Sequence, residues 1–369
     1  MILMPKDSAK FINLYSKNVF IENEGVKNVA YAVLKGFKDG KISVNNFSQC
    51  QFHPSPEDPK AVDWIFILNT LNYSFWNEKN CPKWTVNNQT GYFALCAAIK
   101  RAINEGKPIV DPKYYSQITR SEAEYIFRGD TETNIPLLDE RVKCLRDAGK
   151  VLLEKYQGTF VNCVKLSSHS AQNLLRCIVK EFESYQDEAD YKIHRGKLMF
   201  IPMKKNCIKK FFHERGKCDN NCFRFSVSFY KRAQILVGDI WACFKGEGIG
   251  EFWDIDYLTM FADYRIPQIL LHFGAIRYSN TLMSKLESDI ELENGSDEEI
   301  EIRGCTIEVI ERVKYEVKDL IERCPKEKKN QLKSNINSVL IDHFLWNYRR
   351  EHEVELEIVP YHKTRCIYY

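Results

Sequence analysis

The sequence predicts a mostly α-helical fold with a few short strands. Three observations support this class: apolar residues recur at helical spacing over long segments, strand-like alternation is sparse, and 44% of the 369 residues are hydrophobic, which is enough for a sizeable core. A chain of this length holds one large domain or two ordinary ones. We expect a single compact domain over residues 1–369, with its N- and C-terminal segments packed together.

Two segments in the first third of the chain have clear helical patterns. Between Val26 and Leu34, apolar residues fall at i, i+3, i+4, i+7 and i+8, which is one face of an amphipathic helix. Tyr92 to Ile103 has the composition of a buried helix, and Gly106 and Pro108 mark its end. These segments therefore predict two helices that pack on the core.

Three further helices are predicted in the second half. Phe225 to Trp241 contains no proline, and Gly238 is its first glycine, so we interpret the segment as helical. Ile307 to Ile321 repeats apolar residues at helical spacing, with i,i+4 pairs of opposite charge. Ile336 to Phe344 predicts another helix, with Asn335 as its N-cap.

The remaining elements are less regular. Lys197–Met203 and Glu355–Val359 are the better strand candidates, and both are short. Residues 287–301 (ESDIELENGSDEEIE) are acidic with a Gly-Ser centre. We expect this stretch to form an exposed, flexible loop that joins two helical parts.

Charge and cysteine content exclude several classes of protein. The 53 basic and 50 acidic residues give a net charge of +3, so composition does not favour duplex DNA or a membrane surface as a partner. No secretory signal or membrane-length apolar run is visible. The 13 cysteines are scattered, which is typical of a reducing compartment. We expect a cytoplasmic protein that can also be nuclear.

One small cluster resembles a set of metal ligands. His213, Cys218 and Cys222 include a Cys-x3-Cys spacing that zinc tolerates. No second ligand pair follows at the distance found in zinc fingers. We favour a charged loop with free thiols over a zinc site, and we expect no metal.

Residues 229–268 combine apolar and charged residues in an unusual way. The segment holds nine aromatic and six acidic residues, so it should be buried although buried charges must be paired or used. Its glycine-rich turn at Lys245–Gly250 is compatible with a phosphate-cradling loop, although the full P-loop pattern is missing. A dinucleotide site is not favoured, because a helix and not a strand is predicted before these glycines and their spacing is wrong. Asp254 and Asp256 are interpreted as helix caps, Asp256 for a helix from Tyr257 to Tyr264.

Asp263 stands apart from the other acidic residues. Pro267 suits the first turn of a new helix, so Asp263 should lie near a helix N-terminus, where free N–H groups keep a carboxylate ionised. An ion pair with Arg265 explains its position equally well. Lys231 either extends its amine to solvent or serves a buried acid. A carboxylate with an ammonium partner suits glycosidic chemistry, because it stabilises positive charge at an anomeric carbon, although such pairs are common.

Several segments, in order along nearly the whole chain, resemble the queuosine salvage family of queuosine 5′-phosphate N-glycosylases. They are Leu71–Trp76 (LNYSFW), Thr90–Tyr92, Asn162–Val164, Phe229–Leu236 (FYKRAQIL), Thr259–Arg265 (TMFADYR), Ile302–Cys305 and Arg365–Tyr369. The resemblance implies a helical fold akin to the helix-hairpin-helix DNA glycosylases. It also implies hydrolysis of queuosine 5′-monophosphate to queuine and ribose 5-phosphate, without a metal or organic cofactor. A separate transglycosylase then inserts queuine into tRNA.

The resemblance assigns the catalytic centre to residues of the 229–268 segment. Asp263 is then the catalytic carboxylate beside the anomeric carbon, and Phe261 packs on the base. Lys231 lies in the same pocket, in contact with the substrate phosphate or the leaving group. Queuine is a 7-deazaguanine without the basic N7 of a purine, so the carboxylate should carry a larger share of catalysis.

The resemblance places the base-binding residues far away in the chain. His53 contacts the base, although the residues alone favour a histidine in a surface loop. Asp342 accepts hydrogen bonds from a polar edge of the base, with His343 and Asn347 beside it. The family pattern has Tyr and Asp at these last two positions, and Asn347 can hydrogen-bond but cannot act as a base.

Two other classes of function stay open from the sequence. A DNA or RNA base glycosylase would use the same carboxylate chemistry with base flipping, but the balanced charge offers little basic surface. A non-enzymatic, tRNA-binding helical module would explain the tyrosines, but not Asp263 and Lys231 in an apolar context. We expect a small nucleotide as substrate, no membrane partner and no stable binding to nucleic acid.

Overall fold

Helices dominate the chain, as the sequence predicts. The computed structural model describes residues 2–78, 81–194, 222–323 and 336–369. In the first half the described helices are α1 (Pro5–Tyr15), α2 (Asn23–Lys38), α3 (Ala61–Thr70), α4 (Gly91–Asn104), α5 (Pro112–Tyr115), α6 (Arg120–Ile126), α7 (Leu138–Lys155), α8 (Val161–Leu166) and α9 (Ala171–Glu181). In the second half they are α10 (Lys231–Cys243), α11 (Ile266–His272), α12 (Asn280–Glu287), α13 (Asp297–Glu322), α14 (Ser338–Glu351) and α15 (Glu353–Leu356).

The described strands form three separate antiparallel pairs. They are β1 (Val19–Ile21) with β6 (Ile276–Tyr278), β2 (Thr85–Val86) with β3 (Gln89–Thr90), and β4 (Glu188–His194) with β5 (Cys222–Ser228). The first pair joins residues from opposite ends of the chain, with Val19 opposite Tyr278 and Ile21 opposite Ile276. Each described pair is a two-stranded sheet, and the described strands form no larger one.

The long helix α13 fastens the N-terminal segment to the second half of the chain. It packs against α1 and α2, and Gly304 leaves room for the side chain of Ile12 on α1. Glu301 is fully buried and accepts hydrogen bonds from the Ser16 hydroxyl and from the backbone N–H groups of Lys17 and Asn18. The predicted packing of N-terminal against C-terminal segments is present here.

Two helices lie entirely inside the protein. Every residue of α3 and of α10 is buried, and the two helices pack against each other. Helix α3 is mostly apolar, which is typical of a core helix, whereas α10 also carries charged residues although it is buried on all sides. The polar residues that α10 carries are therefore held in the interior.

The predicted helices largely agree with the structure, with one correction. Residues 26–34 lie in α2, 92–103 in α4 and 307–321 in α13. The prediction of a helix from Phe225 to Trp241 is wrong in its first third, because β5 runs to Ser228 and the helix begins only at Lys231. From Phe223 to Val227 the residues of β5 alternate between more and less buried positions, and β5 pairs with β4. At Tyr230 the backbone enters the left-handed region, with φ of +50°.

Other local predictions are also corrected. The segment from Tyr257 to Tyr264 is not a helix; a short 3-10 turn covers Ile255–Tyr257. Asp256 therefore caps no helix there, and it pairs with Lys314 and Lys318. Asp254 does serve a helix terminus, since its carboxylate accepts the backbone N–H of Ala171 at the start of α9.

The C-terminal predictions differ in two places. Glu355–Val359 is not a strand, because α15 occupies its first residues. The N-cap of α14 is Asn337, whose side chain accepts the N–H of Leu340. Asn335, the predicted cap, lies outside the described residues.

The acidic stretch 287–301 is only partly a loop. Its first residue ends α12, and α13 begins at Asp297. Glu299 and Glu301 are buried, so the prediction of an exposed loop is wrong for this part. Glu299 pairs with Arg303 one helical turn later, a partner that charge composition alone does not reveal.

Some of the predictions concern residues outside the described ranges. The strand candidate Lys197–Met203, the side chain of Cys222, and His213 and Cys218 lie outside the described residues. Within the described ranges, no group of three or more potential ligands could hold a metal ion. Among the same residues, no helix combines the length and apolar character needed to cross a membrane.

Candidate active site

A cavity of about 720 Å³ gathers residues from widely separated parts of the chain. The N-terminal contribution comes from residues 46–93, the central one from α10 and the segment before α11, and the C-terminal one from α14 and residues 357–369. The structure places all seven predicted site residues on its wall. They are His53, Lys231, Phe261, Asp263, Asp342, His343 and Asn347.

Asp263 lies half-buried, just before the N-terminus of α11. Its Oδ1 accepts the backbone N–H groups of Arg265 and Ile266, each at 2.9 Å. The Arg265 guanidinium instead donates to Gln268 and stacks on the ring of Tyr361 at 4.0 Å. Asp263 is thus held by helix-terminal N–H groups, as the sequence predicts, and the alternative of a side-chain pair with Arg265 is not observed.

Lys231 is the first residue of α10, and its side chain points into the same cavity. The residue is only 6% exposed, and its Nζ donates to the carbonyl oxygen of Asn72 at 3.4 Å. Burial lowers the pKa of the Lys231 amine to about 8, while the charges of Asp263 and Asp342 oppose this shift. The amine is therefore a buried cation at neutral pH, and a small rise in pH removes its charge.

Phe261 and Asp342 are joined by a direct contact. The Asp342 Oδ1 accepts the backbone N–H of Phe261 at 3.0 Å. Gly238 lets Phe261 lie against α10, because a Cβ at this position would meet the Phe261 ring at 3.1 Å. Burial and the charge of Asp263 raise the pKa of the Asp342 carboxyl well above its usual range. Burial therefore favours the protonated form of Asp342.

His53 lies half-buried in a loop, on the wall of the cavity. Its Nδ1 lies 2.9 Å from the carbonyl oxygen of Phe47, and its Nε2 lies 3.0 Å from the hydroxyl of Tyr92. Since a carbonyl only accepts, Nδ1 carries the proton and Nε2 accepts from Tyr92. Burial lowers the His53 pKa to about 4. The ring is neutral, and both of its nitrogens are occupied.

His343 and Asn347 lie one helical turn apart on α14, on the face that also borders the cavity. Burial lowers the pKa of His343 to about 4, and its ring centre lies 6.0 Å from that of Phe261. Both residues are half-buried. They offer neutral hydrogen-bonding groups beside Asp342.

Asp239 is a cavity residue that the sequence interpretation missed. It lies on α10, eight residues after Lys231 and therefore on the same helix face. Its Oδ2 accepts a hydrogen bond from the Asn69 amide at 2.8 Å, and burial raises its pKa to about 7. An aspartate within the apolar run ILVGDIWAC, at this spacing from Lys231, was a signal that could have identified it.

Cationic side chains at one end of the cavity were also missed. Lys363 pairs with Asp289, and Arg349 pairs with Glu353 and Glu357. The Arg265 guanidinium also lines the cavity, 5.5 Å from the ring centre of Tyr264 and 4.0 Å from that of Tyr361. Arg349 and Lys363 come from the C-terminal part of the chain, where the pattern alone gave no sign of a cavity.

The arrangement suits the cleavage of a bond to a sugar. A fixed carboxylate and a buried ammonium share a cavity with an aromatic side chain and with two carboxyl groups, those of Asp239 and Asp342, whose pKa values burial raises. The carboxylate can stabilise positive charge at an anomeric carbon, and the aromatic ring can pack on a planar base.

Comparison with known proteins gives full-length matches. The family model described as "Queuosine salvage protein" matches residues 52–201 and 210–369. The chain is 39% identical over 373 residues to a Bos taurus protein named queuosine 5′-phosphate N-glycosylase/hydrolase, covering 100% of this chain and 99% of that one. A Mus musculus protein of the same name is 39% identical over 371 residues, with the same coverage. One from Sphaerobacter thermophilus is 32% identical over 355 residues, covering 95% of this chain and 93% of the relative.

Proposed function

Because the chain belongs to the queuosine salvage protein family, we propose that it hydrolyses the N-glycosidic bond of queuosine 5′-phosphate. The products are queuine, which is salvaged for tRNA modification, and ribose 5-phosphate. The observation that supports this reaction best is Asp263, a carboxylate fixed by two backbone N–H groups on the wall of a cavity large enough for a nucleotide.

Asp263 acts on the sugar in this proposal. As the glycosidic bond breaks, positive charge develops on the anomeric carbon and ring oxygen, and a fixed carboxylate stabilises that charge without having to reorganise. The two N–H donors from the start of α11 keep Asp263 oriented. Queuine has carbon where a purine has N7, so protonation at that atom is not available. The carboxylate therefore contributes more than in purine cleavage.

Lys231 provides positive charge on the other side of the reacting bond. Its amine contacts either the departing base, on which negative charge develops, or the 5′-phosphate. The two roles differ in a measurable way. Replacing Lys231 with methionine lowers activity equally on the nucleotide and the nucleoside if the contact is to the base, and selectively on the nucleotide if it is to the phosphate.

The base is held by Phe261, Asp342 and the two histidines. The 7-deazaguanine edge presents adjacent N–H donors, and a carboxylate such as Asp342 accepts both. Phe261 packs on the ring. Both nitrogens of His53 are occupied and one ring face stacks on Phe47 at 4.1 Å, so we propose that His53 contacts the base through its carbon edge or its other face. His343 and Asn347 add neutral hydrogen bonds.

Broader features of the molecule belong to the same proposal. The whole chain acts as one domain, supported by the pairing of β1 with β6. The helical core is akin to that of helix-hairpin-helix DNA glycosylases, supported by a catalytic-type carboxylate at the start of a short helix. An experimental structure whose core helices do not superpose on such a glycosylase would refute the second statement.

The cellular setting follows from the thiols and the charge balance. We propose a cytoplasmic location, shared with the nucleus, since the nine described cysteines are free. The substrate is a small nucleotide, with no membrane partner and no stable binding to nucleic acid. Tight, salt-dependent binding to a DNA or RNA duplex would contradict the last point and favour a base glycosylase of nucleic acid.

The reaction is tested by incubating the protein with queuosine 5′-monophosphate and following free queuine by mass spectrometry. Queuosine without the phosphate serves as the comparison substrate. The proposal predicts queuine and ribose 5-phosphate in equal amounts, and faster release from the nucleotide. Absence of queuine from both substrates would refute it.

A further inference from the structure

Arg303 lies outside the cavity, yet its contacts lead to both members of the catalytic pair. It is on α13 and 1% exposed. Its guanidinium lies between the aromatic rings of Phe229 and Tyr369, 4.1 Å from each ring centre. A guanidinium stacked on both faces presents its N–H donors in one plane, at fixed directions.

One hydrogen bond of the Arg303 guanidinium reaches the backbone of the residue that precedes Asp263. The Arg303 Nε donates to the carbonyl oxygen of Ala262 at 3.2 Å. Ala262 directly precedes Asp263, whose side chain is held from the other direction by the first N–H groups of α11. The backbone of Asp263 is therefore anchored on both sides.

The terminal nitrogens of Arg303 bind two buried carboxylates: Nη1 donates to Glu299 at 3.2 Å, and a second partner, Asp187, leads to the lysine. The two terminal nitrogens of Arg303 bind the Asp187 carboxylate in bidentate fashion, at 2.8 and 2.6 Å. The same Asp187 Oδ2 accepts the backbone N–H of Lys231 at 3.0 Å, and the Asp187 carbonyl accepts the N–H of Phe229. Asp187 thereby holds the first residue of α10 in place after Tyr230, which adopts a left-handed conformation that is costly for a non-glycine residue.

The chemistry of the network favours a positioning role. A buried ion-pair network contributes little net stability compared with well-packed apolar residues, because desolvation offsets the attraction. The network instead supplies directional hydrogen bonds, which hold the bonded groups in fixed positions and which apolar residues cannot make. From these contacts we infer that Arg303 is a positioning residue that sets the placement of the Lys231 ammonium relative to the Asp263 carboxylate. The inference rests on the proposed function, because it takes those two residues as the catalytic pair.

The test replaces Arg303 with lysine, which keeps the charge but cannot make the bidentate contact and the Ala262 contact together. We expect kcat on queuosine 5′-monophosphate to fall by about 100-fold, as a misplacement of about 1 Å commonly causes. KM and the Kd for queuine should change by less than about threefold, because the base-binding residues are not displaced.

Glu301→Gln is the matched control. Glu301 is on the same helix and fully buried, and its partners are Ser16, Lys17, Asn18 and Tyr191, which lie outside the cavity. This variant should lose thermal stability with kcat unchanged. If R303K keeps the wild-type kcat per folded molecule, as E301Q should, so that any loss of total activity matches its unfolded fraction, the positioning role is refuted.

Asp187→Asn keeps the test decisive should R303K fail to fold. The asparagine oxygen still accepts one hydrogen bond, while the bidentate charge contact is lost, and we expect kcat to fall by about tenfold. Unchanged kcat in a folded D187N would overturn the inference. Asp263→Asn is assayed alongside: if it stays active, the proposed site itself fails, whereas an inactive D263N with a fully active R303K refutes only the role of Arg303.

Discussion

At the scale of single residues, the charge of Lys231 is the property most open to experiment. Burial brings its pKa down to about 8, with Arg232 and Arg303 lowering it and Asp263 and Asp342 raising it. The amine is protonated below this pH and neutral above it. If the reaction needs the cation, kcat/KM falls as the pH rises through about 8.

The pH profile of Lys231→Met is the check. This variant should be slow at all pH values and should lack the alkaline decline. Asp239 also titrates in this cavity, at about pH 7, so Asp239→Asn is measured in parallel to separate the two groups. An alkaline limb that persists unchanged in the methionine variant would assign the titration to another group.

The raised pKa of Asp342 predicts that queuine binding strengthens with rising pH, opposite in sign to the alkaline decline of kcat/KM. Its raised pKa favours the protonated form, whereas two N–H donors of the base require the carboxylate. Queuine should therefore bind more tightly as the pH rises and Asp342 loses its proton. Calorimetric titration at several pH values measures this trend.

Asp342→Asn should weaken queuine binding by about 10- to 100-fold, because the amide group faces donors with a donor of its own. It should also remove the contribution of Asp342 to the pH trend. Binding equal to wild type at every pH would show that the base edge does not contact this residue.

The residues of the site differ in how far the sequence reveals them. The helix-terminal position of Asp263 followed from Pro267 and the apolar residues after it, which are local signals. Asp239 had a local signal that was missed. Arg303 had none, because its partners Asp187 and Ala262 are distant in the chain and become neighbours only through tertiary packing.

At the scale of elements, the close contact between α2 and the turn after α11 gives a stability prediction. A Cβ on Gly25 would lie 2.0 Å from the carbonyl oxygen of Gly274 and 2.2 Å from the nitrogen of Ala275. These are backbone atoms and cannot rotate aside. Gly25→Ala should therefore lower the free energy of unfolding by at least about 2 kcal/mol, in the upper part of the range for overpacked sites.

Urea denaturation measures this loss, with Asn28→Ala as the control, since Asn28 is exposed on the same helix. The control should change the free energy of unfolding by less than about 0.5 kcal/mol. Gly25→Ala with wild-type stability would mean that the two segments separate without cost, contrary to their packing.

Apolar periodicity in the sequence identified the amphipathic helices. Helices α2, α4 and α13 carry regular apolar faces, and the sequence predicted each of them. The β4–β5 pair was missed because β5 leads into the apolar helix α10 without a proline or glycine between them. The strand and the helix are separated by Tyr230, whose backbone is left-handed. A tyrosine gives no signal for this conformation in the sequence.

At the scale of the whole molecule, the site depends on three distant parts of the chain coming together. Spacing along the sequence could not predict this assembly, which was expected only from the family resemblance. A ligand that contacts all three parts should stabilise them as one unit. At 100 times its Kd, queuine should add about 2.7 kcal/mol to the free energy of unfolding.

Thermal unfolding followed by both fluorescence and circular dichroism tests this prediction. Queuine should raise a single midpoint equally in both signals, and adenosine 5′-monophosphate should have no effect. A ligand-dependent shift in one signal but not in the other would show that the three parts do not unfold together.

The central claim is that Asp263 drives the cleavage of the glycosidic bond, and the Asp263→Asn variant tests it most directly. The asparagine fills the same space and can still accept the N–H groups of Arg265 and Ile266, but it has no negative charge to oppose the sugar cation. Single-turnover release of queuine from queuosine 5′-monophosphate should slow by at least about 1,000-fold, with the Kd for queuine and the thermal midpoint close to wild type. A folded variant that releases queuine at the wild-type rate would contradict the claim.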